Sequence, residues 1–395
     1  MKALGPAAGM VVLGGVLTAW MEPPSAGLMH AGALMLAAGC VLYALMARVE
    51  LPVHWAVLVP LACAALGIAQ AFLRWTVYPF ETWNSVTAWL ARAAVFSAAY
   101  AGFQRPENRD RLKSVIVWFG GAFSLLALLQ WYTSAGKVFW SFETAYRAEA
   151  AGTFANRDQY AAFIELLLPI ALAASIRQRR WLLVPAACAG LMFASVVASA
   201  SRAGTIIVCT EALVFLVAAV VGHRRNYRAA GLIAASLALC TLVGGWTCVW
   251  ERFSADDPFA YRREMLTASL DMIRSRPLTG FGLGTWPAVY PAFAVFDPPG
   301  IYMNHAHNDW AEWTAEGGLP LLAILAVFAC VAALQLRRDL WALGIPAVLV
   351  HALVDFPLQK PALACAVFFL AGVSLSGAVR ISASAGCRSC ESPRP

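Results

Sequence analysis

Residues Asn304–Arg338 read NHAHNDWAEWTAEGGLPLLAILAVFACVAALQLRR. Two of the six histidines in the chain, His305 and His307, open the stretch, and Asp309, Glu312 and Glu316 follow. A nearly unbroken apolar run then reaches Leu336 and stops at Arg337 and Arg338. Roughly 20 apolar residues of helix cross a bilayer, and a basic pair just beyond such a run marks its cytoplasmic end. The stretch therefore predicts a membrane span with titratable groups gathered at its outer mouth. Asp309 with Glu312 has the spacing of a capping box. Asp309, Glu312 and Glu316 share one helical face. Gly317, Gly318 and Pro320 break that first short helix and start the next, with Pro320 in its first turn.

The rest of the chain follows the same pattern. Of its 395 residues, 61% are hydrophobic and 13% charged, where soluble domains carry about 25% charge. Apolar blocks lie near 5–20, 27–46, 53–73, 85–103, 112–131, 159–176, 181–200, 203–221, 230–249, 319–336, 339–356 and 361–379. The fold class is an all-α integral membrane protein of about 12 transmembrane helices, with an extracytoplasmic helical cap. The first block lacks a small-residue cleavage site after it and is read as a retained span. The 339–356 block contains His351 and Asp355, which is unusual inside hydrocarbon. The chain divides as one polytopic domain over 1–395, a cap loop at 250–318 between spans 9 and 10, and a cytoplasmic tail at 380–395.

Charge orients the spans. QRPENRDRLK, SIRQRR and GHRRNYR are short and basic, and with both termini in the cytoplasm most of the 29 Lys and Arg residues fall inside. The net charge of +7 is thus a matter of topology. No basic soluble face is present for nucleic acid. Eight of the ten cysteines lie in or beside apolar blocks, where they behave as small hydrophobes. Cys387 and Cys390 form a lone CxxC, half a zinc site at most.

The outer segments carry the chemistry. DDPFAYRREMLTASLDMIRSRP at 256–277 predicts an amphipathic helix with Asp257 as N-cap, Pro258 at the first position and Pro277 as a stop. Its period puts Arg262 on a stripe with Leu266, Leu270 and Ile273, facing the membrane domain. Arg263 falls beside Thr267 and Arg274, toward water. An interfacial helix whose arginines touch lipid phosphates has the same pattern. Arg202 sits between two apolar blocks. Arg92 lies within one, so it lines a cavity or pairs with a buried acid such as Glu165 or Glu211. His305 and His307 lie on irregular chain at the membrane surface, which survives only beside protein or a water-filled cavity. A backbone-satisfied histidine fits this position, as does a zinc site with Asp309. GFGLGTW at 280–286 lacks the third glycine and preceding strand of a dinucleotide loop, and is read as a tight turn.

These residues together resemble the O-antigen ligase and polymerase superfamily of bacterial membrane glycosyltransferases. The resemblance rests on SRAG at 201–204, RSRPLTGFGLGTW at 274–286, HND at 307–309 with EGGLP at 316–320, and HALVDFPLQKPA at 351–362, with GTFANRD at 152–158 as the first outer loop. It covers roughly 150–380. It departs from the family at Leu266, where an aromatic is usual, at Asp309-Trp310-Ala311, and at Asn156 with Asp158. The resemblance implies transfer of a glycan from polyprenyl pyrophosphate to an acceptor hydroxyl, without metal, nucleotide or other cofactor. It further implies a bacterial inner-membrane location, cytoplasmic termini and a site on the periplasmic face. The residues it points to are Arg202, Arg262 and His307. His307 would deprotonate the acceptor, oriented by Asp309 or Glu316, while the arginines hold the pyrophosphate. Arg92, Arg263, His305, Asn308, Asp309, Glu316 and Asp355 are the candidates for substrate contact. His351 and Asp355 pair with Lys360 or line the cavity. Within the family the chain reads as a ligase or a repeat-unit polymerase. A secondary transporter or lipid flippase is the rival class, but the charged groups gather on one side and no two-half repeat is visible.

Overall fold

A computed structural model describes residues 3–21, 24–48, 50–143, 149–177, 183–221, 226–244, 250–251, 253–254, 261–295 and 302–377. The expected cap at Asp257 and Pro258, the Cys387–Cys390 pair and the 380–395 tail lie outside the described residues.

The described chain is almost entirely helical. In order come α1 (Leu4–Leu17), α2 (Pro24–Ala47), α3 (Leu58–Phe72), α4 (Pro79–Gly102), α5 (Pro106–Thr133), α6 (Arg157–Arg177), α7 (Leu183–Ala198), α8 (Arg202–Val221) and α9 (Tyr227–Gly244). Then follow α10 (Arg262–Ser275), the single turn α11 (Trp286–Val289), α12 (Asp309–Gln335), α13 (Gly344–His351) and α14 (Pro361–Leu375). A two-stranded antiparallel hairpin, Lys137–Val138 with Phe142–Glu143, follows α5. Proline opens α4, α5 and α14 at a position where its missing N–H costs nothing.

Among the described residues, six helical stretches are long and apolar enough to cross a membrane: Ser25–Met46, Trp55–Phe72, Pro106–Thr133, Arg157–Arg177, Arg202–Val221 and Asp309–Gln335. Leu4–Leu17, Leu183–Ala198, Tyr227–Leu239, Leu340–His351 and Pro361–Leu375 are apolar but shorter. The 339–356 block therefore differs from the sequence expectation. Its helix ends at His351, and the chain turns through Asp355 and a 3-10 turn at Pro357–Gln359 before α14. Pro357 blocks any continuation of the helix, because its ring clashes with the carbonyl four residues back, and Pro361 opens the next helix at its first position.

α6 lies at the centre, packed against α5, α7, α8 and α13. Close helix approach depends on small residues, as is usual where lipid replaces water. A Cβ on Gly204 of α8 would fall 2.6 Å from Ala161 of α6. Large apolar side chains such as Leu28, Met35 and Trp118 point outward from α2 and α5.

α10 packs with Phe281, Trp286, Tyr290, Ala306 and Ala315 in a separate small core. It buries Met265, Ala268, Ser269 and Met272. The Arg262–Leu266–Leu270–Ile273 stripe is therefore not the buried one, and Leu270 is exposed. Ser269 belongs to the inner face because its Oγ accepts a hydrogen bond from Trp286 Nε1 at 2.9 Å.

Candidate active site

The GFGLGTW turn and α12 build the floor of the site together. Gly280, Gly282 and Gly284 all have positive φ (62°, 112° and 75°), which makes this stretch a tight turn as the sequence indicated. Phe281 N–H donates to Ala315 O at 3.1 Å and Gly282 N–H to Glu316 O at 2.9 Å. Gln70 of α3 fastens the arrangement. Its Nε2 donates to Thr279 O and Glu316 O, and its Oε1 accepts from Leu283 N–H. α12 kinks at Gly318 (φ 69°, ψ −174°), where the sequence reading placed the helix break. Glu316 Oε1 accepts from Trp286 N–H at 3.0 Å and so starts α11.

The entry to α12 differs from the expected capping box by one residue. Asn308 is the N-cap, and its side chain accepts from Ala311 N–H. Asp309 is instead a buried strut. Its N–H donates to Ala352 O at 2.9 Å, and its Oδ2 accepts from Leu358 N–H at 2.8 Å. Glu312 reaches back to His305 Nδ1 (2.9 Å) and accepts from Ala306 N–H (2.7 Å). The cap is made by the residue whose side chain reaches N3, and Asp309 already faces the 352–358 turn.

His307 meets Asp355. Its Nδ1 lies 2.7 Å from Asp355 Oδ1. Neither Asp309 nor Glu316 orients it, because both are occupied by the backbone contacts just described. Arg262 approaches the same Asp355 oxygen at 3.8 Å and Asp158 Oδ2 at 3.6 Å, and its Nη1 donates to Val354 O at 3.1 Å. Phe356 lies between the two histidines, stacked on His305 at 4.4 Å and edge-on to His307 at 4.7 Å. Asp355 lies in the turn after α13, with its carboxyl buried. Burial pushes that carboxyl up. The hydrogen bond and charge of His307, with His351 and Arg262, outweigh burial and hold it below the usual carboxylate range.

Arg202 opens α8, where Ser201 Oγ accepts from Gly204 N–H. Its guanidinium lies within electrostatic reach of Arg262, Asp158 and Arg157. Asn156 starts α6 by accepting from Asp158 N–H at 2.8 Å, and Arg157 pairs with Glu149. Three left-handed non-glycine residues mark the site: Ala200 (φ 54°), Tyr261 (φ 55°) and His307 (φ 50°). Such backbone is uncommon outside glycine and collects at functional sites. Here it precedes Arg202 and Arg262 and includes His307 itself.

The structure thus brings His307, Arg262, Asp158 and Asp355 into one cluster, with Arg202 beside it. His305 belongs to its rim through Glu312 and Phe356. Asn308 donates through its Nδ2 to Leu353 O at 2.8 Å and serves the same turn. Arg263 is exposed on α10. Arg92 is not in the cluster. Its Nη2 donates to Leu358 O at 3.2 Å and it sits over the Trp89 ring at 4.2 Å, paired with neither Glu165 nor Glu211. His351 bonds to Glu165 at 2.8 Å rather than to Lys360, and Lys360 lies over Phe356. His305 and His307 serve different carboxylates, so they do not share a ligand position with Asp309. Among the described residues no group of three or more His, Cys, Asp or Glu side chains is set to hold a metal ion. Sequence reasoning missed Asp158, Glu312 and Phe356 as parts of the site. The signals were GTFANRD for Asp158 and the HALVDF spacing for Phe356.

The cluster contains an imidazole hydrogen-bonded through Nδ1 to a buried carboxylate, with cations beside it. That set suits proton removal next to a developing anion. Residues 187–326 match the family model described as O-antigen ligase. The match takes in Arg202, Arg262 and His307 and supports the O-antigen ligase superfamily. No curated protein matches the chain.

Proposed function

We propose, from the O-antigen ligase match and the cluster it contains, that this chain is a membrane glycosyltransferase acting on a polyprenyl-pyrophosphate glycan. The observation that carries the proposal is the 2.7 Å contact between His307 Nδ1 and Asp355 Oδ1, with Arg262 against the same carboxylate. Asp355, held anionic, accepts a hydrogen bond from Nδ1–H. This leaves the Nε2 lone pair for the acceptor hydroxyl.

In this reading the hydroxyl proton passes to His307 Nε2 as the oxygen bonds to the anomeric carbon. The carbon–oxygen bond to pyrophosphate breaks, and its electron pair leaves on the phosphate oxygen. Arg262 and Arg202 take up that charge. Arginine suits the role because it stays protonated and matches phosphate geometry. The contacts of Arg262 to Asp158 and Asp355 at 3.6 and 3.8 Å are long, so a phosphate competes for the guanidinium readily. A single displacement inverts the anomeric configuration.

The reading sets about twelve crossings in a bacterial inner membrane, with cytoplasmic termini. Residues 250–318 then form a cap over the periplasmic end, where the lipid-linked donor and a lipid or glycan acceptor meet. The six long helices and the 24-residue α4 support crossings, and the five shorter apolar helices would supply the rest. So does the concentration of His307, Arg262 and Arg202 at one end of the helices that carry them.

The test is a reconstituted reaction with a polyprenyl-pyrophosphate glycan and candidate acceptors. Substitution of His307, Arg202 or Arg262 by alanine is expected to abolish transfer while the protein remains in the membrane. A single shifted lipid band identifies a ligase and a product ladder a polymerase. Wild-type transfer by the His307 variant, or retention of the anomeric configuration, overturns the scheme.

A further inference from the structure

A cavity of about 170 Å³ lies beside the Pro357–Gln359 turn. Asn84, Ser85, Trp89 and Arg92 of α4, Trp313 of α12 and Gln359 of the turn line it. Arg92 is only 6% exposed. Its guanidinium has one protein acceptor, Leu358 O, and the face of Trp89 beneath it. Among the described residues no carboxylate forms an ion pair with it. A guanidinium has five N–H donors, and no Arg92 nitrogen is sealed away without a partner, so the unused donors open on the cavity. The amide nitrogen of Gln359, at the same cavity, is enclosed and has no acceptor.

A buried cation is costly without a counter-charge. Here a cationic donor with one protein acceptor lines the space, beside an enclosed amide nitrogen that has none. The acid among the lining residues, Glu316, turns its Oε1 to Trp286 N–H instead. The space therefore asks for an anion. Its other walls ask for more than a bare ion. Ser85 offers a hydroxyl, and Asn84, whose Nδ2 donates to Glu81, offers its amide oxygen to ring hydroxyls. Trp313 offers an apolar face for a sugar's C–H groups, and the volume matches one ring.

We infer that this cavity binds an acidic monosaccharide residue of the uronate type, its carboxylate against Arg92 and Gln359. Leu358 connects the cavity to the His307 cluster. Its carbonyl accepts from Arg92 and its N–H donates to Asp309. A bound sugar thus braces the turn that carries Asp355. The role of this site in glycan recognition rests on the transferase reading, but binding itself does not.

Saturation-transfer NMR on the detergent-purified full chain, titrated with free glucuronate, glucose and inorganic phosphate, tests the inference. Wild type is expected to bind glucuronate at least tenfold more tightly than glucose or phosphate. Arg92→Met removes the cation. Ala88→Leu narrows the cavity from α4 and leaves the guanidinium in place. Each is expected to weaken glucuronate binding at least tenfold. No saturable glucuronate signal, equal binding of glucose, displacement by equimolar phosphate, or wild-type affinity in either variant overturns it. Glucuronate binding without glycan transfer counts against the transferase reading alone. Transfer without glucuronate binding counts against the cavity alone.

Discussion

Glu165 of α6 and His351 of α13 form a hydrogen-bonded pair, Oε1 to Nδ1 at 2.8 Å, with both side chains wholly enclosed. The two residues are 186 positions apart, so the pair fastens the helix before the Asp355 turn to the centre of the bundle. Removing one partner of such a pair leaves the other buried without compensation, which costs roughly 3–5 kcal/mol. Glu165→Leu and His351→Leu alone are each expected to lower the thermal stability of the purified protein strongly. The double variant is expected to be more stable than either. A double variant as unstable as the sum of the singles would show that the pair is not an isolated unit.

Asp355→Asn leaves the shape of the His307 pair and changes its proton arrangement. An amide in that place can donate to Nδ1, which moves the imidazole proton to Nε2 and removes the base. The turnover rate is expected to fall by about 10²–10⁴-fold, as general-base losses do. The binding of lipid-linked donor, measured separately, is expected to stay near wild type. A variant with unchanged turnover would place the base elsewhere.

Acid stability follows from the same carboxyl. The native pairing holds Asp355 below its usual range. A carboxyl depressed on folding contributes stability that is present above its unfolded value of about 3.9 and is lost as pH falls through the folded value. The melting-temperature difference between wild type and Asp355→Asn is expected to narrow below about pH 4. A difference that stays unchanged down to about pH 2 would contradict the depressed carboxyl.

Gly280 is expected to resist substitution. Its φ is +62°, and a Cβ there would fall 2.1 Å from Glu316 O, a backbone atom. Left-handed backbone alone costs a side chain roughly 1–2 kcal/mol, and the clash adds to it. Gly280→Ala should therefore show lower folded yield and an earlier thermal transition in detergent. Gly231, whose surroundings are open, serves as a control that should tolerate alanine.

Much of this was legible in the sequence. The apolar blocks located the helices, and Gly317-Gly318 located the kink because no other residue pair in that run tolerates the turn. His307 stood out as a polar residue at the mouth of a span. Its pairing with Asp355 did not, because Asp355 lies 48 residues further on in a block that reads as the eleventh of twelve crossings. The buried face of α10 was misread for a different reason. Ser269 looks like surface, but the Trp286 indole draws it inward, and Leu270 looks like core but faces out. Hydropathy counts side chains by type and cannot register a hydrogen bond made across the fold. The one-residue shift in the α12 cap has the same origin, since Asp309 is taken by Leu358, a distant partner.

Gln70 sets a condition on how the chain is made. Its three acceptor and donor partners lie 209 to 246 positions downstream. A ribosome releases α3 long before Thr279, Leu283 and Glu316 exist. Throughout that interval the amide waits at the helix end without its permanent contacts. The candidate site therefore closes only after a segment made some two hundred residues later docks onto α3.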